Sequence, residues 1–230
     1  MRDPCSINQM VSQHGRTATG SKERLLAAAA AEFAARGFDG AKVDRIAARA
    51  RLNKAMLYYH FKNKARLYRE ILMGIFQSLG DAADTLPREG TADERLRRFV
   101  RTIAAETSNQ PNFPSIWLRE MAEGGRHLDP AILGQMKRVL GALAGILQDG
   151  RRAGVFREAH PMITQMSIVA PLLLFAASAP LRARFGAGMA FDPSAIQRDD
   201  VVAHIEIGTL AALRPIPIVK PAPVGRRRKR

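Results

Sequence analysis

Residues 47–64 read AARARLNKAMLYYHFKNK, and this stretch decides the fold. No proline occurs between Pro4 and Pro87, so helices around it can run uninterrupted. The pattern predicts a short helix over Val43–Ala50, a break at residues 51–53 and a second short helix over Lys54–Phe61. Two short helices joined by a tight break form a helix-turn-helix arrangement. In that arrangement the second helix lies in the DNA major groove.

A longer amphipathic helix is predicted immediately before this pair. Leu26, Ala30, Phe33 and Gly37 follow 4-3-4 spacing, which places them on one face of a helix. Ser21 suits the start of this helix as an N-cap, and Gly37 suits its end. This helix is expected to brace the two short ones.

The second short helix has two sides of different character. At about 100° per residue, Leu57 and Phe61 lie about 40° apart and define the buried side. The opposite side carries residues that can approach base edges and thymine methyl groups. These are Ala55, Met56 and Tyr59, flanked by Tyr58 and His60. Core packing is the alternative for the aromatic run, and we expect it for Leu57 and Phe61.

Lysines border this helix where phosphates would pass. Lys54 begins the helix, and Lys62 and Lys64 follow it. Amides at a helix N-terminus add affinity for anions. A metal site at His60 is not expected, because no second His, Cys or acidic residue lies three or four residues away.

Together these residues resemble the DNA-binding signature of the TetR family of bacterial regulators. The match includes the pattern Leu-Tyr-x-His-Phe followed by Lys, here complete at residues 57–62. It extends to Phe33, Gly37, Phe38 and Ile46–Ala47 before the pattern and to Leu67 after it. The resemblance implies an all-α homodimer whose three N-terminal helices bind a palindromic operator. It also implies a larger C-terminal domain that binds a small ligand and dimerises through its last two long helices, and repression that ends when ligand binds.

The candidate DNA-contacting residues are Lys42, Asn53, Lys54, Ala55, Met56, Tyr58, Tyr59, His60, Lys62 and Lys64. Of these, the resemblance implies base contacts for Lys54, Ala55, Met56 and Tyr59, and phosphate contacts for Tyr58, His60 and Lys64. Two positions depart from the family pattern. Arg51 stands where the turn usually has Gly, so it is expected to need an unusual backbone angle or to reach a phosphate. Lys42 stands where the preceding helix usually starts with Ser or Thr, and its side chain cannot cap by accepting a hydrogen bond.

The charge distribution favours two surfaces for polyanions. The 230 residues carry 36 Lys and Arg against 21 Asp and Glu, a net charge of +15. Residues 1–70 have 14 basic and 6 acidic side chains, residues 214–230 have 7 basic and none acidic, and the remainder is balanced. A neutral body with a basic head and tail indicates nucleic acid before membrane.

The remaining sequence is predicted to be helical as well. Further helices are expected over about 63–86, 92–108, 114–124, 129–152, 162–184 and 194–213, with prolines at most of the joints. The chain is therefore predicted to be all-α, with a flexible leader at 1–20 and a three-helix helix-turn-helix DNA-binding domain at 21–66. These are followed by a larger helical ligand-binding and dimerisation domain at 67–213 and by a basic, proline-rich tail at 214–230. The tail is either solubilising or a source of nonspecific DNA affinity through counterion release.

An uncharged segment at Ala159–Leu181 requires a membrane test. It contains no Asp, Glu, Lys or Arg across 23 residues, which is long enough to span a bilayer. Its strongly apolar part, Ile168–Ala177, is only ten residues, and Pro171 and Pro180 interrupt it. This segment is therefore expected to be a buried or interface helix. We expect it to pair with the Ala195–Leu213 helix in a two-fold dimer, where Gly208 permits close approach.

An effector pocket is expected among apolar residues of the larger domain. The candidates are Phe99, Ile103, Trp117, Met121, Met136, Leu140, Met166 and Phe175. Trp117 and Met121 lead, since they are four residues apart on a short helix between Pro114 and Gly124–Gly125, and Met adapts to irregular cavities. Plain core packing is the alternative for each, and the small-molecule effector cannot be named from the sequence.

Other classes of function are less consistent with the sequence. No Gly-rich phosphate loop, nucleophile elbow, metal-ligand spacing or pair of catalytic carboxylates is present, so neither an enzyme nor a cofactor is expected. The single Cys5 and the polar first twenty residues predict a cytoplasmic, nucleoid-associated protein. An architectural DNA-coating protein remains the main rival, although it has no evident need for the neutral middle domain, and a membrane-surface protein is the third alternative.

Overall fold

The computed structural model describes residues 5–185 and 192–215, with side chains from residue 20 onward. Over these residues the chain forms ten α-helices and no strands, as the sequence predicts. The helices are α1 (Cys5–Gly40), α2 (Val43–Ala50), α3 (Lys54–Phe61), α4 (Lys64–Asp84), α5 (Ala92–Asn109), α6 (Phe113–Ala122), α7 (Pro130–Arg152), α8 (Pro161–Ala177), α9 (Ala179–Phe185) and α10 (Arg198–Leu213).

The first three helices pack around a small apolar centre. Leu25 and Phe33 of α1, Ile46 of α2, and Leu57 and Phe61 of α3 are all buried there. α2 and α3 have the bounds that the sequence predicts. This centre fixes the angle at which α3 is presented, because both of its inward side chains are held by the other two helices.

α1 differs from the prediction at its start and agrees near its end. It begins at Cys5, so Ser21 lies inside the helix and is not its N-cap. The chain has no proline between Pro4 and Pro87, so nothing covalent stops the helix from extending toward the N-terminus. Near the other end Gly37 adopts a φ of 70°, which interrupts the helix where the sequence places its stop. Residues 1–4 of the expected leader lie outside the described residues, and the domain boundary at residue 20 stays a prediction.

The remaining helices form one bundle that shares its core with the first three. α4 packs chiefly on α7 and also on α5, while α8 packs on α10. A single cluster of buried apolar residues runs from Leu25 and Leu57 through Leu72 and Phe99 to Leu173 and Leu210. Because α4 begins beside α3 and spans about 30 Å at 1.5 Å per residue, it connects the N-terminal unit to the far end of the bundle.

The uncharged segment is divided into two helices where a single one is predicted. α8 ends at Ala177, and α9 follows at an angle of 63°. Pro180 lies in the first turn of α9, where its missing N–H costs nothing, but a continuous helix would need that N–H. Among the described helices none is long and apolar enough by itself to cross a bilayer, and only this bent pair passes that test together. α10 begins at Arg198, later than predicted, and the tail beyond residue 215 lies outside the described residues.

Candidate nucleic-acid interface

The turn between α2 and α3 is closed by backbone hydrogen bonds. Arg51 adopts φ 53° and ψ 45°, the left-handed angle expected where other members of the resembled family carry Gly. Its N–H donates to the carbonyl of Ala48 at 3.0 Å, and the N–H of Leu52 donates to that of Ala47 at 3.0 Å. These are the two bonds of a Schellman motif, so the turn is fixed despite its non-glycine residue.

The two helix starts flanking the turn are capped differently. Asn53 caps α3, since its side-chain oxygen accepts a hydrogen bond from the N–H of Met56 at 2.9 Å. Lys42 occupies the N-cap of α2 in an extended conformation and makes no side-chain cap bond, as its chemistry requires. The side-chain oxygen of Asn53 therefore positions the recognition helix, while the ammonium of exposed Lys42 is available to a polyanion.

The outward face of α3 is the one that the helical wheel predicts. Tyr59 is 77% exposed and Tyr58 45% exposed, whereas Leu57 and Phe61 are buried. Ala55 is exposed and Met56 is half-buried. A protruding aromatic side chain on a helix with a rigid inner face is suited to insertion into a groove. Whether these residues contact bases stays a prediction.

Exposed cations surround this face, and one of them is paired. Lys54 and Lys62 are exposed at the two ends of α3. The ammonium of Lys54 lies 2.9 Å from the carboxylate of Asp44, and this hydrogen bond raises the pKa of Lys54. Both partners are open to solvent, so water screens the pair and a phosphate can compete for the ammonium.

Lys64 and His60 are half-buried, and each has a polar atom turned toward the protein. The Lys64 ammonium donates to the carbonyls of Phe38 and Ala41 at 2.8 and 3.2 Å and lies 4.5 Å from the centre of the Phe38 ring. The Nε2 atom of His60 is buried and has no hydrogen-bond partner among the described residues. Lys64 thus holds the end of α1 against α4, and contact of Lys64 or His60 with phosphate stays a prediction.

Two arginines that the sequence does not single out as contacts, Arg24 and Arg49, also lie here, beside Arg51, for which a phosphate contact is one of the two expectations. Arg24 of α1 donates to the carbonyl of Ala50 at 2.5 Å and thereby supports the end of α2. Arg49 and Arg51 are exposed, and with Arg24 they line a notch of about 420 Å³. The excess of basic residues in the first seventy positions is the sequence signal for Arg24 and Arg49.

A buried polar joint connects this unit to the rest of the bundle. Glu120 of α6 is 1% exposed. Its carboxylate accepts hydrogen bonds from the Tyr68 hydroxyl at 2.9 Å and from the His127 backbone N–H at 2.8 Å, and it lies 3.0 Å from Nδ1 of His127. The Phe38 ring packs against both Tyr68 and His127, with centroids 5.2 and 4.4 Å apart. Burial, and next the neighbouring Glu120 carboxylate, raise the pKa of Tyr68 well above its ordinary value, so its hydroxyl stays a donor.

A second contact across the same joint is exposed. The guanidinium of Arg126 lies 2.6 Å from the carboxylate of Asp39, and this hydrogen bond lowers the pKa of Asp39. Glu120 and Arg126 therefore hold α4 and the α1–α2 connection against the segment that joins α6 to α7. A movement of that segment would therefore disturb the contacts that hold the recognition unit.

The eight predicted effector residues do not converge on one cavity. Phe99 and Ile103 are buried in the shared core, while Met121 and Met166 are 47% and 62% exposed. Trp117 packs edge-on to Phe76 with ring centroids 5.0 Å apart, and Met136, Leu140 and Phe175 are half-buried. None of the eight lines the cavity of about 670 Å³ between α4, α5 and α7, or the groove of about 420 Å³ between α8 and α10. Effector binding by these residues stays a prediction.

Comparisons with known proteins agree with this architecture. Residues 25–71 match the family described as bacterial regulatory proteins, tetR family, and residues 93–200 match the tetracyclin repressor-like C-terminal domain. The HTH-type transcriptional repressor NicS of Pseudomonas putida is 27% identical over 141 residues, which cover 60% of this chain and 66% of NicS. The HTH-type transcriptional repressor SCO4008 of Streptomyces coelicolor is 29% identical over 155 residues, which cover 67% of this chain and 73% of that repressor.

A solved structure supports the same fold. A bacterial regulatory protein of the tetR family from Rhodococcus RHA1 superposes with a TM-score of 0.67 at 19% identity, covering 85% of this chain and 98% of that one. The chain belongs to the TetR family of bacterial transcriptional regulators. It is a DNA-binding regulator and not an enzyme.

Proposed function

We propose that this chain is a repressor that binds a palindromic operator as a homodimer and leaves it when a small molecule binds the C-terminal bundle. The observation that carries the proposal is the helix-turn-helix unit with Tyr59 protruding from it, in a chain that is similar to two named repressors over 141 and 155 residues. Repression places the protein in the cytoplasm, at the nucleoid. No cofactor has a part in this function.

The proposed DNA contacts follow from which side chains are free. Ala55, Met56 and Tyr59 approach the base edges, because they form the side of α3 that faces away from the core. Lys42, Lys54 and Lys62, with the Tyr58 hydroxyl, contact phosphates on either side. Asn53 acts partly by capping α3, Lys64 acts by holding the end of α1 against α4, and the half-buried His60 has its Nε2 atom turned away from solvent.

The proposed dimer interface is the apolar face shared by α8 and α10. Ile163, Met166 and Leu174 of α8 are exposed, and Ile207 of α10 is 65% exposed. Gly208 lies beside them, and a methyl group added at Gly208 would meet no atom within 4 Å, so another helix can approach closely. A second copy of the chain is the occupant that fits, because a two-fold partner sets two recognition helices about 34 Å apart, one turn of DNA.

The proposed signal passes along α4. Its first residues follow the recognition helix, its second turn carries Tyr68 of the buried joint, and its last residues line the cavity between α4, α5 and α7. Arg138 of α7 binds Asp81 at 2.8 Å and Asp84 at 2.5 Å near that end. A ligand that shifts these contacts changes the angle of α4 and so the spacing of the two recognition helices. Only a ligand with different affinities for the two arrangements can do this.

Selection from a randomised library of double-stranded DNA tests the DNA-binding part of the proposal. The purified protein is expected to enrich a palindrome whose half-sites are one helical turn apart, at a salt concentration that removes nonspecific binding. Binding that never enriches a sequence and vanishes as salt rises would instead indicate an architectural DNA-coating protein.

A further inference from the structure

The cavity between α4, α5 and α7 has the size of a ligand site and an unusual floor. Its volume of about 670 Å³ lies within the range of small-molecule sites. The floor on the α7 side is formed by Gly141, Ala142 and Gly145, with Ile146 at the next turn. Apolar atoms therefore form one wall of a space that no side chain of α7 fills.

The two glycines keep this space open at a cost to the helix. Glycine inside a helix is less stable than alanine by about 0.5–1 kcal/mol. A methyl group added at Gly141 or Gly145 would meet no atom within 4 Å, so close packing does not require glycine there. Gly150 of the same helix is the opposite case, since an added methyl group would lie 2.0 Å from the Phe156 ring. Because close packing does not explain Gly141 and Gly145, their effect is to leave the cavity floor without side chains.

The polar lining carries one unpaired cation. Arg95 is bound to Asp149 at 2.6 Å, and Arg138 is bound to Asp84 at 2.5 Å, so these lining arginines are already neutralised. Arg88 also lines the cavity, and among the described residues it forms no hydrogen bond or ion pair. Its charge nevertheless acts on the cavity, because it contributes to lowering the pKa of Asp149 after the larger effects of Arg95 and Arg152. The lining as a whole has three arginines against two aspartates and is net positive.

From this arrangement we propose that the cavity binds a small amphipathic anion, a carboxylate or sulfonate with an apolar body. The apolar body lies on the Gly141–Gly145 floor, and the anionic group faces Arg88. This inference rests on the proposed function in one respect: the bound anion is the effector that releases DNA. This site does not include Trp117, whose ring packs against Phe76 with centroids 5.0 Å apart.

Fluorescence titration of the full-length protein with two related probes tests the binding. The anion 8-anilinonaphthalene-1-sulfonate and the uncharged N-phenyl-1-naphthylamine share an apolar skeleton and differ in the sulfonate. The anion is expected to bind about fivefold or more tightly than the neutral probe, because a charge-assisted contact is added. Arg88→Gln is expected to remove that preference. Equal affinity of both probes for the wild type would overturn the proposal.

Paired glycine variants locate the binding. Gly145→Leu fills the floor and is expected to weaken binding of the sulfonate at least tenfold, while the melting temperature stays level or rises, because leucine is the better helix former. Gly134→Leu is the matched control, since Gly134 lies on the same helix, has open space beside it and does not line the cavity. Gly145→Ala serves if the leucine variant fails to fold. Wild-type affinity in a folded Gly145 variant would contradict the site.

Release of DNA is measured separately, so that the two proposals can fail independently. Saturating sulfonate probe is expected to dissociate wild-type protein from its selected DNA and to leave the Gly145→Leu complex intact. Binding at the cavity without release would leave the anion site standing and refute its role as the effector site of a repressor.

Discussion

Replacing Tyr59 with alanine separates a role in DNA recognition from a role in folding. The side chain is 77% exposed, so its removal is expected to change the free energy of unfolding by no more than about 0.5 kcal/mol. A good side-chain contact to a base is worth about 1–3 kcal/mol of discrimination. Affinity for the selected operator is therefore expected to fall by a factor of about 5 to 150. Affinity for unrelated DNA at the same salt concentration is expected to stay close to that of the wild type.

The assay combines fluorescence anisotropy on both DNAs with thermal denaturation, and Leu57→Ala is its control. Leu57 is fully buried two residues earlier on the same helix, so its truncation is expected to cost about 2–5 kcal/mol of stability. A Tyr59→Ala protein that melts as early as Leu57→Ala, yet binds the operator normally when cooled, would refute the assignment of Tyr59 to the DNA face.

Three further predictions concern the buried joint at Glu120, the dimer interface and the loss of stability at acid pH. Glu120→Ala leaves buried donors unpartnered at about 1–3 kcal/mol each, so denaturant titration is expected to show a loss of at least about 2 kcal/mol, and a loss near zero would contradict the joint. Ile207→Glu is expected to yield a folded monomer in sedimentation velocity and to lose operator binding. Leu133→Glu is the control and is expected to stay dimeric, since Leu133 is exposed on α7. If both variants are dimeric, the α8–α10 interface is wrong. Hydrogen bonding to the N–H of Ile132, and then Arg69, hold the pKa of Asp129 below its ordinary value of 3.8, so its charge stabilises the fold above that value. The stability difference between wild type and Asp129→Asn is therefore expected at pH 7 and lost as the pH falls below that value, and a difference that persists in acid would show that the charge is not its source.

The recognition unit could be predicted closely because its chemistry is local. The bounds of α2 and α3 and the left-handed angle of Arg51 depend on neighbours within a few residues. The inward and outward sides of α3 follow from the helical period alone. Such features are encoded in the order of residues and need no knowledge of the rest of the fold.

The accessibility of Lys64 could not be predicted in the same way. Its ammonium is bonded to carbonyls more than twenty positions earlier in the chain, at the end of α1. The joint around Glu120 has the same origin, since Tyr68 and Glu120 are 52 positions apart. Contacts of this kind arise from how helices pack, and a pattern read along one helix contains no trace of them.

The cavity between α4, α5 and α7 could not be predicted, for a different physical reason. The sequence pattern favours large apolar residues such as Trp117 and Phe99 as pocket residues. In the structure, Phe99 lies in the core and Trp117 packs against it. The cavity exists where side chains are lacking, beside Gly141 and Gly145. Two glycines four residues apart in a predicted helix were the available signal, because they weaken the helix without a local reason.

We propose that the α3 helix of each protomer of a dimer enters the major groove with Tyr59 toward the bases. A crystal structure of the full-length protein on its selected palindrome measures this directly. We expect two α3 helices about 34 Å apart in successive major grooves. Tyr59 is expected within contact distance of base edges, with Leu57 and Phe61 still buried. A complex in which α3 lies outside the groove, or in which a single protomer binds without a two-fold partner, would contradict it.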